Sequence, residues 1–108
     1  MNLIEKKINA FTVISIDGRI DTTNYTEFEK QIAGTIEKGE NNLVLNCSGL
    51  NYISSSGLRA FLTTQKKLTS MNGNLHLCEM QPQIKEIFDI SGFSNIFKIY
   101  KTEHEAVN

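Results

Sequence analysis

The chain has no tryptophan, one proline and two cysteines among its 108 residues, and these shortages already narrow what it can be. Cys47 and Cys78 are too few for the disulfide framework of a small secreted domain. Both lie in or beside apolar segments, where a thiol behaves as a small hydrophobe, so buried free cysteines are expected. His76 and His104 do not stand at ligand spacing from either cysteine, and no metal is assigned. No apolar run approaches the roughly 20 residues needed to cross a bilayer, and no basic segment followed by an apolar one opens the chain. A cytoplasmic protein without a membrane span is therefore expected. Neither sign of charge dominates, since 11 basic and 12 acidic residues give a formal net charge of −1. Without a broad positive field, direct contact with nucleic acid or an anionic membrane is not expected, and a protein or small-molecule partner is.

The motifs of common catalysts are missing as well. Neither Gly-x-Gly-x-x-Gly nor a Gly-Lys-Ser/Thr phosphate loop occurs, so nucleotide-dependent chemistry has no visible site and no cofactor is assigned. A serine hydrolase needs a base in reach of its nucleophile and a group to orient that base. There is no Gly-x-Ser-x-Gly elbow, and the Ser-x-x-Lys step from Ser56 lands on Arg59. His104 falls in a terminal segment expected to be mobile. His76 reads as a half-exposed sheet residue. The chain is not expected to be an enzyme.

What is present is hydrophobic periodicity. With 40% hydrophobic residues, residues 1–108 suffice for one domain with a usable core. Phe11 to Asp17 alternates and is rich in β-branched residues, which predicts a half-buried strand, with Leu3 to Ile8 as its antiparallel partner. From Asp21 the period changes. Tyr25, Phe28, Ile32 and Ile36 recur at helical steps, Asn24 with Glu27 resembles a capping box, and Gly39 is a stop. Leu43–Val44–Leu45 predicts a short strand, and Leu58, Phe61, Leu62 and Leu68 then share a helical face that ends at Asn72–Gly73. Asn74 to Cys78 alternates again, Pro82 suits a first helical turn before Ile84, Ile87 and Phe88, and Gly92 ends that helix. Ile96 to Tyr100 reads as the last strand, followed by a polar tail able to form a turn or two.

Strands that alternate with helices imply parallel pairing through right-handed crossovers. If strands are added in one direction, every crossover falls on the same side of the sheet. The expectation is an α/β domain: a mixed, mostly parallel sheet of four or five strands built from successive βα units, with helices mainly on one face. Leu75 and Leu77 would then face the helices, while His76 and Cys78 face a thinly covered side.

Against this frame three serines stand out, Ser54–Ser55–Ser56, followed by Gly57 and Leu58 where a strand ends and a helix begins. Hydroxyls there accept bonds from the free N–H groups of the first turn, and they are also where a covalent charge can act. Arg59 lies one turn beyond Ser55, placed to meet a partner carboxylate or an added phosphate. In Asp17–Gly18–Arg19–Ile20–Asp21, Gly18 reads as a positive-φ or bulge position and Asp21 as a carboxylate near a helix N-terminus.

Three segments, Gly18–Arg19–Ile20–Asp21, Ser54–Ser55–Ser56–Gly57–Leu58 and Ile87–Phe88–Asp89–Ile90–Ser91–Gly92–Phe93, occur in the order and separation seen in the STAS domains. The chain resembles the anti-sigma factor antagonist branch of that family over nearly its whole length. The resemblance implies a partner-switching phosphoprotein that regulates transcription. Its acceptor on alignment is Ser55, with Ser56 as second choice. The resemblance also implies phosphorylation by an anti-sigma factor with serine kinase activity, reversal by a phosphatase, and binding of the anti-sigma factor by the unmodified form. Asp21, Ser54, Ser55, Ser56, Gly57 and Arg59 are the expected partner-binding residues. The acid that usually precedes the acceptor is Ser54 here. The alternative reading is a non-phosphorylated STAS interaction module of a transport or scaffold complex.

Overall fold

A computed structural model describes all of residues 1–108. Five strands form one sheet in the order β1-β2-β3-β4-β5. They are β1 (Asn2–Ile8), β2 (Phe11–Ile20), β3 (Asn42–Ile53), β4 (Asn74–Cys78) and β5 (Lys98–Tyr100). The first pair is antiparallel and every later pair is parallel. Helices α1 (Tyr25–Glu37), α2 (Ser55–Ser70) and α3 (Pro82–Ile90) connect the parallel strands. Strand order follows chain order, so the three crossovers share one face, as right-handed connections require.

That face holds the main core of 19 buried residues. Five of the six phenylalanines gather here, and Phe61 of α2 lies 5.5 Å from Phe28, 5.9 Å from Phe88 and 6.5 Å from Phe97. A fully buried ring of this kind contributes about 1.5–3 kcal/mol, so α2 is anchored at its middle. Leu58 and Leu62 do not share that depth. The buried stripe of α2 is Gly57, Ala60, Phe61, Thr64 and Leu68, and the two leucines sit at its margins, half exposed.

The opposite face is covered by one small element, the last turn α4 (Glu103–Ala106). Ala106 and Val107 bury themselves against Val13, Val44 and Cys78. The terminal segment is therefore docked, not mobile. A capping box holds its start, with Thr102 Oγ1 accepting from Glu105 N at 3.1 Å and Glu105 Oε1 accepting from Thr102 N at 3.2 Å. Glu79 accepts from Glu103 N at 2.8 Å, and the Glu103 carboxylate meets Lys6 at 2.9 Å and Asn46 at 2.6 Å. His76, half exposed as expected, lies between the rings of Phe11 and Tyr100, with Nδ1 2.8 Å from the Ala106 carbonyl. Both cysteines are free and buried. Burial pushes the Cys78 thiol up to about 12, which leaves it un-ionised and inert at neutral pH.

Three strand boundaries and one helix cap differ from the pattern in the sequence. β2 continues past Asp17 to Ile20, and β3 runs 12 residues where the apolar core of the segment is only three. Two register shifts, at Ser15/Asp17 and at Gly18/Arg19, let the strands stay paired beyond the regular stretch. Gly18 takes φ +107° at the second shift, which a side chain would resist. β5 is shorter than expected because residues 93–95 form a 3₁₀ turn and Phe97 is drawn into the core. Asn24 caps α1 in position but not by a capping box. Its side chain turns back, accepting from Asp21 N and donating to the Arg19 carbonyl, both at 2.9 Å.

Candidate regulatory site at the start of helix α2

The C-terminal ends of β2 and β3 and the N-termini of α1 and α2 meet at one edge of the sheet, where open α/β folds place their functional groups. Ser54 ends β3 in extended conformation and caps α2. Its amide donates to the Ile20 carbonyl at 2.9 Å, its carbonyl accepts from Leu58 N at 2.9 Å, and its Oγ accepts from Gly57 N at 3.1 Å. The helix therefore opens at Ser55. A Cβ on Gly57 would lie 2.7 Å from Ile53 Cγ1 and 2.9 Å from Ile20 Cγ2. Gly57 is the point where α2 touches the ends of both strands.

The three serines consequently have different chemistry. Ser54 is half buried and bonded, Ser56 is half buried, and Ser55 is exposed. Neither Ser55 nor Ser56 has a hydrogen bond through its hydroxyl, and no carboxylate lies in the first turn of α2. No base serves Ser55. His76 is on the opposite face of the sheet, bonded to Ala106, and His104 belongs to α4 on that same side. The Ser55 hydroxyl is thus open to solvent, with neither histidine beside it.

Asp21 stands at the neighbouring corner. Its Oδ1 accepts from both the hydroxyl and the amide of Thr23, at 2.6 and 2.9 Å, and its Oδ2 meets Arg19 Nε at 2.9 Å. These bonds, those from Thr23 first, hold its carboxyl below the usual carboxylate range. Its carbonyl accepts from Asn24 N and Tyr25 N, so Asp21 builds the turn into α1. The guanidinium of Arg19 lies 4.6 Å from the centre of the Tyr52 ring. Arg59 is exposed on α2 and has no ion pair.

The stack of Arg19 on Tyr52 is the part of this corner that sequence reasoning misses. Tyr52 is 43% exposed, and a large aromatic two residues before a helix cap was the available signal. Its partner was not legible, because the bulges in β2 set the pairing of Arg19 with Tyr52. The largest cavity, about 310 Å³, lies elsewhere, between the start of α3 and β5, against Met80, Pro82, Lys85, Ile99, Tyr100 and Lys101. No helix is long and apolar enough to cross a membrane.

Residues 2–106 match the model of the STAS domain family. The Bordetella bronchiseptica protein BtrV, described as an anti-sigma factor antagonist, is 37% identical over 106 residues, spanning 98% of this chain and 91% of its own. A Thermotoga maritima protein with the same description superposes with a TM-score of 0.91 at 22% identity, over 96% of this chain and 90% of that one. The Bacillus cell fate determinant SpoIIAA, solved in its phosphorylated form, superposes with a TM-score of 0.73 at 22% identity, over 98% and 96% of the two chains. The structural likenesses establish the fold, and the family match and the sequence relative go further: this chain belongs to the STAS domain family, and it has anti-sigma factor antagonists among its relatives there.

Proposed function

We propose that this protein is a cytoplasmic anti-sigma factor antagonist, itself without catalytic activity. In this reading it binds an anti-sigma factor with serine kinase activity while Ser55 is unmodified and is released when Ser55 is phosphorylated. A phosphatase resets it. Binding frees a sigma factor, so the antagonist controls sigma-dependent transcription. Ser55, Ser56, Arg59, Asp21 and the capped start Ser54–Gly57 form the contact region.

One observation carries the reading: of three consecutive hydroxyls at the head of α2, Ser55 alone is both exposed and unbonded, while Ser54 closes the helix beneath it. A kinase can reach Ser55 without breaking the cap. A phosphate there carries a charge of about −1.5 to −2 and faces the positive end of the helix, so the fold accommodates it. A partner packed on the same surface does not, since it would have to bury an uncompensated dianion. Losing about 3 kcal/mol at that contact weakens binding by two orders of magnitude. The alternative acceptor, Ser56, is half buried on the same turn.

The reading is tested by incubating the protein with candidate anti-sigma kinases and ATP and mapping phosphate by mass spectrometry. Phosphate on Ser55, abolished by Ser55→Ala, is the expected result. An unmodified Ser55 together with intact partner binding would instead favour a non-phosphorylated module of a transport or scaffold complex.

A further inference from the structure

The chain has nine lysines and only two arginines, Arg19 and Arg59, and both flank the start of α2. Arginine's planar fork engages a carboxylate or phosphate through two parallel hydrogen bonds, which an ammonium cannot do. Arg19 is already committed to Asp21 and to the Tyr52 ring. Arg59 is exposed and has neither an ion pair nor a hydrogen bond through its side chain. Its own helix cannot supply a counter-charge, because residues 55–70 contain Arg59, Lys66 and Lys67 and not one Asp or Glu. Asp21, at the neighbouring corner, has both oxygens occupied.

At 100° per residue, Ser55, Arg59 and Lys66 fall within a 40° arc on the side of α2 opposite its buried stripe, and Leu62, half exposed and packed against the main core, lies at the edge of that arc. The outer ridge of the helix thus reads hydroxyl, cation, cation, with a half-exposed apolar group beside it. Such a ridge is complementary to a partner surface with carboxylates around a small apolar patch.

We propose that this ridge docks an acidic protein surface and that Arg59 is the group through which phosphorylation is read. The inference rests on Ser55 being the modified residue. In the unmodified protein the Arg59 guanidinium is free to pair with a partner carboxylate. A phosphate on Ser55 sits four residues before Arg59, the spacing at which an acid and a base on one helix face meet. It captures the guanidinium internally and turns the ridge negative towards the same carboxylate. The switch therefore removes an attraction as well as adding a repulsion.

Two measurements on the full chain test this. With phosphoserine installed genetically at position 55, a ³¹P NMR titration should show the second phosphate ionisation roughly 0.3 unit lower in the otherwise native protein than in Arg59→Gln. Lys66→Gln should leave it unchanged, and identical titrations in the native and Arg59→Gln proteins would overturn the pairing. Binding of the unmodified chain to the anti-sigma kinase found in the phosphorylation assay should weaken about tenfold in Arg59→Gln. Phosphorylation should then cost fewer-fold in Arg59→Gln than in the native protein, and equal costs would overturn the role of Arg59. An unshifted thermal midpoint of unmodified Arg59→Gln confirms that the variant is folded. If no kinase modifies Ser55, the installed phosphate still reports on Arg59, so failure of the switch and failure of its reader are distinguishable.

Discussion

Two helices in this molecule begin at a hydroxyl cap, and they are finished in opposite ways. At α4 nearly every group of the cap is engaged. Thr102 and Glu105 close a reciprocal box, Glu79 takes the Glu103 amide, and the Glu103 carboxylate is held by Lys6 and Asn46. At α2 a single bond from Gly57 to Ser54 closes the end, the first turn has no acid, and the hydroxyl of Ser55 is left to solvent. Helix propensity does not explain the difference, since α2 is four times as long and lies over the main core. A short helix on a thin face needs all its polar contacts to stay docked. A long helix anchored by Phe61 can leave its first turn unfinished, and on the proposed reading that turn is where charge is added without unfolding the domain.

The comparison breaks most readily at Ser55. Ser55→Asp should weaken the anti-sigma complex about 100-fold, near 3 kcal/mol, while the thermal midpoint stays within a degree or two, as calorimetry and a binding titration would show. A large fall in midpoint would mean that this turn is as fully committed as α4. Gly57→Ala comes next. Its methyl group must displace both Ile53 and Ile20, and overpacking of this kind costs about 1–3 kcal/mol, against which a better helix propensity recovers less than about 1. Urea denaturation should report a net loss.

The two caps themselves should separate by how far their loss spreads. Ser54→Ala and Thr102→Ala each remove a cap bond worth about 1 kcal/mol. The first should lower global stability, because α2 covers the core. The second should release α4 locally, raising amide exchange at Ala106 and Val107 ahead of global unfolding. Acid should have the same selectivity. Hydrogen bonding to Lys6, with Asn46 adding to it, holds the Glu103 carboxyl below its ordinary value of 4.5. Its contribution is therefore complete above that value and fades as pH falls through the lower folded one. The protection factor of the Ala106 amide should fall as pH drops through that lowered value, while the first turn of α2, which has no carboxylate, keeps its protection.

Much of this was legible from the residues. The hydrophobic pattern pointed to all five strands and the three large helices, through alternation for β2 and β4, a short apolar run for β3 and helical repeats for α1, α2 and α3. The separation of Leu75 and Leu77 from His76 and Cys78 was legible for the same reason, and the two sets do lie in different clusters or faces. What escaped was set by contacts remote in sequence. β3 beyond Leu45 is polar enough to look like a loop and is a strand because bulged β2 runs beside it. The tail from Thr102 is polar, and it docks through Ala106 and Val107 onto Val44 and onto Val13, the latter nearly the length of the chain away. The serine segment stood out at once, yet the division of labour within it did not. Three adjacent hydroxyls look alike until the helix start assigns one to the cap, one to solvent and one to the half-buried side.

Position 54 offers the finest test of the contrast. The STAS relatives that the sequence resembles usually have an acid there, and serine preserves the cap while omitting its charge. Ser54→Asp should therefore keep the bond from Gly57 and add a carboxylate to a helix end that has none. Near a helix N-terminus such a charge is worth about 0.3–1 kcal/mol. The same interaction lowers the folded-state pKa of the new carboxyl below its unfolded value near about 3.9. The gain should be present at neutral pH and disappear as pH falls through the folded-state pKa. Chemical denaturation of the native protein and of Ser54→Asp at pH 7 and at about pH 2.5 measures it. A gain that persisted in acid would have to come from packing and not charge, and the unfinished state of α2 would then concern shape as much as electrostatics.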